Sequence, residues 1–247
     1  MTGMAGQGLK SRDADPGGQP LHWACEAYPD YAAEVNSSIR FSGLDQSFFT
    51  IGKAGRAIDL LTRLVGDPRR IDLLDIGCGI GLIHPHLGGV GRITGVDVSQ
   101  EALGLAQSAR SDVRYQAYDG HRLPFAEDTF DAAMTICVMH HVPADDWHEF
   151  VGEARRVIRP GGVFLVFEHN PWNPLTRLAV SRCSFDHDAV LLPPPRMASI
   201  LAACGLRDVG REFLFFTPFA APAIQSVERR LKFLPLGAQY VAYGRKA

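Results

Sequence analysis

The chain of 247 residues lacks the features that mark several classes of protein. Its five cysteines, at positions 25, 78, 137, 183 and 204, form no C-x-x-C pair and are odd in number. That pattern argues against a disulfide framework and a zinc site, and it favours reduced thiols in the cytoplasm. No apolar run approaches the roughly 20 residues of a membrane span. The net charge is −2 without a sustained basic run, so neither a membrane nor a nucleic-acid partner is expected.

The remaining composition is that of an ordinary globular protein, with 46% hydrophobic residues. Residues 1–20 are rich in glycine, aspartate and glutamine and contain no apolar signal core, so we expect them to be disordered. The rest of the chain is predicted to form a single α/β domain.

A glycine-rich turn follows the first predicted strand. Residues 73–81 (LLDIGCGIG) combine an apolar run with Gly77, Gly79 and Gly81, which predicts a buried parallel strand, a tight turn and then a helix. Alternate glycines let a ligand approach the backbone, and the amides that open the helix would face it. The spacing G-x-G-x-G differs from the dinucleotide fingerprint G-x-G-x-x-G. A nucleotide-like cofactor is therefore predicted, and a nicotinamide-dependent oxidoreductase is disfavoured.

Further motifs follow in order along the chain. Asp97 ends a second predicted strand at the offset where an acid accepts hydrogen bonds from ribose hydroxyls. Asp119 ends a third predicted strand over 113–120. The fourth, over 132–142, comes after the residues LPF and ends in His-His-Val, and RPGG at 159–162 leads into a fifth.

In this order the motifs resemble those of the class I S-adenosylmethionine-dependent methyltransferases of the small-molecule type. The resemblance implies S-adenosyl-L-methionine as cofactor and a Rossmann-like, doubly wound α/β sheet of about seven strands with the last strand antiparallel. It also implies that Asp119 accepts from the adenine amino group. The cofactor-binding residues that it implies are Asp75, Gly77, Cys78, Gly79, Gly81, Asp97, Val98, Asp119, Gly120 and Cys137.

The domain divides into four predicted segments. Residues 21–66 form N-terminal lid helices, with one helix over 51–64, and residues 67–167 form the cofactor-binding core. The irregular stretch 168–196 is predicted to be the acceptor-binding insertion, because long loops in compact domains are usually functional. Residues 197–247 complete the sheet, with a helix over 197–203 and strands over 207–216 and 239–246.

Methyl transfer from a sulfonium requires an acceptor held in line and, for a hydroxyl, ammonium or acidic carbon, a base. His141 and His169 are the predicted bases; His141 is favoured over its neighbour His140, since adjacent residues on an extended chain point to opposite sides. A second possibility is Asp186 with His187. A metal held by His169, Asp186 and His187 is considered, but no metal is predicted. The predicted acceptor-binding residues are Tyr28, His141, His169 and Asn170.

The predicted function is methyl transfer to a small molecule in the biosynthesis of a metabolite or natural product. Whether oxygen, nitrogen or carbon is methylated stays open, as does the oligomeric state. An alternative is a protein that binds S-adenosylmethionine without methyl transfer, such as a cyclase-like enzyme, because cofactor motifs do not report on the acceptor.

Overall fold

The computed structural model describes residues 31–217, 227–228 and 230–247. The predicted disorder of residues 1–20 and the predicted role of Tyr28 lie outside these residues. The described strands form one seven-stranded sheet in the order β3-β2-β1-β4-β5-β7-β6. Their bounds are β1 Asp72–Ile76, β2 Arg92–Asp97, β3 Arg114–Ala117, β4 Phe130–Ile136, β5 Ile158–His169, β6 Leu206–Leu214 and β7 Gln239–Lys246.

Three of the described helices, α2, α3 and α5, begin after a residue whose side chain accepts from free backbone amides. Asp45 accepts from Phe48 N before α2, and Ser99 accepts from Ala102 N before α3. Such caps satisfy donors that the first helical turn leaves free. The helices are α1 Tyr31–Ile39, α2 Gln46–Leu64, α3 Gln100–Ala109, α4 Trp147–Val157, α5 Pro174–Val180 and α6 Pro194–Ala203. No described helix is long and apolar enough to cross a membrane.

Strands β1 to β5 are parallel where they pair, and β7 runs antiparallel to both β5 and β6. This confirms the predicted α/β sheet with an antiparallel last strand, and β7 has the predicted bounds. The carboxyl ends of β1, β2, β4 and β5 meet at one edge, where open parallel sheets bind ligands.

Both faces of the sheet are covered, which explains the continuous apolar runs of its central strands. Leu73 on β1 packs with Leu60 and Leu61 of α2 on one face. Leu74 points the opposite way and packs in the cluster that contains Phe150 of α4. This alternation fixes which residues of each strand face which layer.

The predicted helix after the glycine-rich turn is wrong. Residues 77–91 are all described, and they form turns and one short 3-10 helix, His84–His86. Pro85 removes a backbone donor, and Gly88 and Gly89 weaken any helix after it. A ligand at this turn therefore meets its amides without a helix N-terminus behind them.

The insertion after β5 is more ordered than predicted. It contains α5 and a 3-10 turn at Ser184–Asp186. Asn173 caps α5 by accepting from Leu175 N and Thr176 N, and Pro174 occupies the first helical position, where its missing amide costs nothing. Prolines of this stretch stand at the start of two helices, Pro174 in α5 and Pro194 in α6.

Candidate active site

The glycine-rich turn adopts a conformation that side chains resist. Gly77, Gly79 and Gly81 have φ of 74°, 53° and 72°, in the left-handed region that favours glycine. A Cβ on Gly77 would lie 2.5 Å from Val138 Cγ2. The turn is held to β2 because Gly77 N and Cys78 N both donate to Val96 O, at 2.8 and 3.0 Å.

Asp97 stands at the end of β2, against this turn, with Val98 directly after it. Its carboxylate accepts from Gly79 N at 2.7 Å and from Ser99 N at 3.0 Å. The side chain is buried, and burial raises the pKa of Asp97 despite these amide bonds. A buried carboxylate at this edge is a strong acceptor for hydroxyl donors of a ligand.

Asp75 lies on β1 beneath the turn and is buried. Its Oδ2 is 3.0 Å from His84 Nε2, and His84 Nδ1 is 2.8 Å from the Tyr115 hydroxyl. The second oxygen, Oδ1, is buried and has no hydrogen-bond partner among the described residues. An unpaired buried acceptor is costly unless a ligand donor meets it. Burial also raises the pKa of the Cys78 thiol, which keeps this neighbour of the turn neutral.

Asp119 is exposed and lies two residues beyond Ala117, where β3 ends, earlier than predicted. Its Oδ1 accepts from His121 N and Arg122 N at 2.9 and 2.7 Å, and these bonds lower the pKa of Asp119. Gly120, with φ of 84°, follows it. A small recess beside this glycine is lined by Ile76, Tyr118 and Leu123.

A cavity of about 460 Å³ opens beyond the exits of β4 and β5. Its walls come from α1, α2 and α5 and from the ends of β6 and β7. The predicted insertion therefore does contribute a wall, through α5. The apolar lining includes Val35, Ile39, Phe49, Val180, Phe215 and Phe216.

Polar side chains gather in one part of this lining, which we call the polar corner: Lys53, Cys137, His169, Asp186 and Gln239. Lys53 Nζ lies 3.9 Å from Cys137 Sγ, and Gln239 Nε2 lies 3.5 Å from His169 Nδ1. Burial disfavours the Cys137 thiolate, but Lys53 and His169 outweigh it and lower the pKa of Cys137. Burial of His169 would lower its pKa, but the interactions with the neighbouring Cys137 oppose this effect, and the pKa of His169 is raised. The thiol and the imidazole are therefore coupled.

The prediction that His140 and His141 point to opposite sides is wrong. Their ring centroids lie 4.1 Å apart, and both Nε2 atoms approach Asp186 Oδ1, at 3.4 and 3.6 Å. The chain has already left β4 in a turn, in which His141 N donates to Val138 O at 2.9 Å. The strand argument therefore does not apply to this pair.

His140 is the more buried of the two histidines, and its Nδ1 lies 2.6 Å from Glu168 Oε2. Burial, together with the neighbouring His140, lowers the pKa of His141 to about 4. Burial alone would raise the pKa of Asp186. The contact with His140 is the main opposing effect, and the pKa of Asp186 is lowered to about 2. Asp186 lines the cavity, whereas the sequence assigned that place to His141.

The predicted acceptor role of Asn170 is not supported, since its amide is fully engaged elsewhere. Asn170 is buried, and its Nδ2 donates to Pro235 O and Gly237 O at 3.1 and 2.7 Å. Its Oδ1 accepts from Trp172 N. Asn170 directly follows the last residue of β5, and among the described residues that line the cavity His169 is present but Asn170 is not.

His187 does not join Asp186. Its side chain is 85% exposed, and Nδ1 lies 2.9 Å from Asp188 Oδ1. The predicted pair of Asp186 and His187 is therefore wrong, as is any set that joins His187 to His169. Sequence reasoning also missed Lys53 as a cavity residue. It follows Thr50 and precedes Ala57 at helical spacing on the inward face of α2, which was the available signal.

Comparison with known proteins agrees with this geometry. Residues 74–166 match the model of a family described as a methyltransferase domain. This central part of the chain is therefore similar to a methyltransferase domain, in agreement with the resemblance to S-adenosylmethionine-dependent methyltransferases. Its cofactor is accordingly S-adenosyl-L-methionine, and the open glycine turn, Asp97 and the unpaired oxygen of Asp75 fit it.

The proteins that this chain resembles differ in what they are named for, and the chain spans slightly less than two thirds of the length of the rhizobial relative described first. Ubiquinone biosynthesis O-methyltransferase of Rhizobium leguminosarum bv. trifolii is 29% identical over 163 residues, which are 60% of this chain and 64% of the rhizobial protein. A solved S-adenosylmethionine-dependent methyltransferase from Thermotoga maritima is 16% identical, with a TM-score of 0.67 over 92% of this chain and all of its own. The [4+2]-cyclase SpnF is 19% identical, with a TM-score of 0.53 over 77% of this chain and 80% of its own. At these identities the two structures show the fold alone.

Proposed function

We propose that this enzyme transfers the methyl group of S-adenosylmethionine to a small, largely apolar acceptor that carries one hydroxyl group. The observation that supports the proposal is the cavity of about 460 Å³, whose lining is mostly apolar and whose charged side chains, together with His169, gather at the polar corner. Small-molecule sites commonly combine an apolar wall with a few polar groups that set orientation. The hydroxyl is suggested by the rhizobial relatives, which are named as O-methyltransferases.

The bound cofactor supplies a methyl group on a positively charged sulfur, activated for in-line displacement. The chain contributes position rather than acid catalysis. The glycine turn and Asp97 fix the donor's ribose end, and the cavity holds the acceptor while it excludes water. Orientation of this kind can lower a barrier by several kcal/mol.

The polar corner would receive the acceptor's hydroxyl. His169 lines the cavity and lies within reach of Gln239, so it is the candidate that takes the proton as the methyl group arrives. Cys137 raises the pKa of His169, and Lys53 lies 3.9 Å from the Cys137 sulfur and lowers the pKa of that thiol. Reduced thiols at the four described cysteines support a cytoplasmic location.

The proposal is tested with methyl-labelled S-adenosylmethionine and a panel of phenols, catechols, alkyl alcohols and amines of a size that fits the cavity. We expect labelled product and S-adenosylhomocysteine from apolar hydroxyl compounds, and little from amines or charged polyols. Titration calorimetry with S-adenosylmethionine, S-adenosylhomocysteine and NADH runs in parallel as the check on cofactor identity.

The outcomes separate the alternatives. Binding of S-adenosylmethionine without turnover on the panel would count against methyl transfer and favour a cyclase-like or binding role. The likeness to SpnF shows that the fold is compatible with such a role. Binding of NADH instead would overturn the cofactor assignment as well.

A further inference from the structure

A cluster of nitrogen and carboxylate ligands lies beside the cavity. His140, His141 and Asp186 each place one ligand atom within 4.8 Å of the others. His140 Nε2 and His141 Nε2 lie 3.4 and 3.6 Å from Asp186 Oδ1. Atoms bound to one tetrahedral metal ion at about 2.0–2.1 Å are about 3.4 Å apart, so the two separations match those expected around a shared ion.

The orientation of His140 is that of a metal ligand. Its Nδ1 lies 2.6 Å from Glu168 Oε2, and Glu168 Oε1 accepts from Met139 N at 2.9 Å. A proton on Nδ1, held by Glu168, leaves the lone pair of Nε2 directed away from that carboxylate. Histidine ligands usually donate their other ring nitrogen to a carboxylate in this way.

His140 Nε2 is buried and has no hydrogen-bond partner among the described residues. It faces Asp186 Oδ1 at 3.4 Å, so an imidazole whose single proton sits on Nδ1 would set two acceptors against each other unless a second proton or a cation lies between them. Glu168 and Asp186 also bring two negative charges to one place that is largely shielded from water. A divalent cation between Nε2 and Oδ1 would satisfy both acceptors and balance both charges.

We propose that His140, His141 and Asp186 form a binding site for one divalent metal ion of the zinc class. Two imidazoles and one carboxylate suit zinc, cobalt, iron or nickel better than magnesium. Three protein ligands leave a fourth position open, as in catalytic zinc sites. Asp186 lines the cavity, so the open position would face the space in which we place the acceptor. The site goes beyond the proposed function and does not depend on it.

Metal binding is measured directly, without acceptor or methyl transfer. The protein is stripped with a chelator and dialysed against Zn²⁺ or Co²⁺, and bound metal is counted by mass spectrometry. We expect one ion per chain, with the intense visible absorption that Co²⁺ shows in a tetrahedral site. A failed methyl-transfer assay would leave this result unaffected, so the two proposals fail separately.

Matched variants decide whether the ion occupies these ligands. Asp186→Asn keeps the shape and removes the charge, and His141→Ala alters the less buried histidine; both should abolish stoichiometric binding. Glu168→Gln should weaken binding roughly 10–100-fold by releasing the orientation of His140. His187→Ala changes a histidine of the same insertion that is exposed, and it should bind like the wild type. Circular dichroism and S-adenosylmethionine affinity confirm that each variant is folded.

Two results would overturn the proposal. One is a wild-type protein that retains only a trace of metal after dialysis, which would mean that His140 instead carries a second proton between Glu168 and Asp186. The other is equal binding by the wild type and by Asp186→Asn and His141→Ala, which would make the metal adventitious.

Discussion

The residues assigned to the cofactor lie close together in the chain, and several contribute backbone atoms. Apart from Cys137, which lines the acceptor cavity, they run from Asp75 to Gly120, and the turn at Gly79 offers amides rather than side chains. The walls of the acceptor cavity come instead from α1, α2, α5 and the ends of four strands, and the side chains of these elements determine its shape and polarity. Changes on the cofactor side should therefore affect donor affinity alone, and changes in the cavity should affect acceptor handling alone.

The largest expected effect is on the cofactor side. Gly79→Val places a branched side chain at a φ of 53° and beside the amide bonded to Asp97, so it should abolish measurable binding of S-adenosylmethionine in calorimetry. Gly104→Val is the matched control, because a Cβ at Gly104 meets nothing within 4 Å. Retained affinity in the Gly79 variant would show that the turn is only structural.

In the cavity, His169→Gln should lower turnover roughly 10²–10⁴-fold, the usual range for a lost general base. Its cofactor affinity should be unchanged, because His169 lines the cavity and not the turn. The comparison variant is His187→Gln, an exposed histidine of the neighbouring insertion. Near-normal turnover in His169→Gln would show that His169 is not the general base. Catalysis would then depend on positioning of the acceptor or on Asp186 as the base.

A substitution that fills part of the cavity tests whether changes there affect the acceptor and leave cofactor binding unchanged. Ala179→Phe adds a ring to the α5 wall and should raise KM for the acceptor roughly 10–200-fold, the cost of a misfitting group in an apolar pocket. Ala202→Phe on the exposed side of α6 serves as control. The separation of the two regions fails if Ala179→Phe weakens S-adenosylmethionine as much as it weakens the acceptor.

Asp97→Ala should weaken S-adenosylmethionine by about 1–3 kcal/mol, because ribose hydroxyls lose a charged, buried acceptor. KM for the acceptor should not change. The measurement is a calorimetric dissociation constant on a variant whose melting temperature is close to that of the wild type. An unchanged constant removes Asp97 from the cofactor site.

The smallest effect concerns pH. Because burial raises the pKa of Asp97, cofactor affinity should be full above that pKa and fall by about 1 kcal/mol as pH drops through it, since a neutral acceptor binds more weakly. The raised pKa means that the folded state holds this proton more tightly than the unfolded state. Protonation of Asp97 therefore adds to the free energy of unfolding at low pH, and unfolding through this group does not explain the loss. Asp97→Asn should show no such step.

The sheet could be predicted because its signals are local. The apolar run of β1, the acid that ends β2 and the bounds of β7 follow from residues a few positions apart. The prediction of a helix after Gly81 was wrong for an equally local reason. It relied on the glycine-rich turn and gave too little weight to Pro85 and the two glycines that follow it, which disfavour a helix.

The polar corner and the metal cluster could not be predicted in the same way. Lys53 and Cys137 are in contact although 84 positions separate them in the sequence. Asp186 contacts His140 from an insertion whose conformation could not be predicted from local sequence patterns. The orientation of His140 and His141 depended on where β4 ends. The strand was predicted to run to residue 142 but ends at Ile136, so both histidines lie in a turn where strand alternation does not apply.

The hydrogen bonds of Asn170 have a consequence for how this enzyme can diverge. Its amide binds the carbonyl oxygens of Pro235 and Gly237, and a backbone carbonyl is offered by any amino acid. The connection into β7 can therefore change most of its side chains and keep its path, apart from Gly237, where a Cβ would lie 2.4 Å from Leu214 O. Because β7 begins directly behind this connection, with Gln239 in the cavity wall, sequence drift on the surface would leave the acceptor cavity's geometry intact.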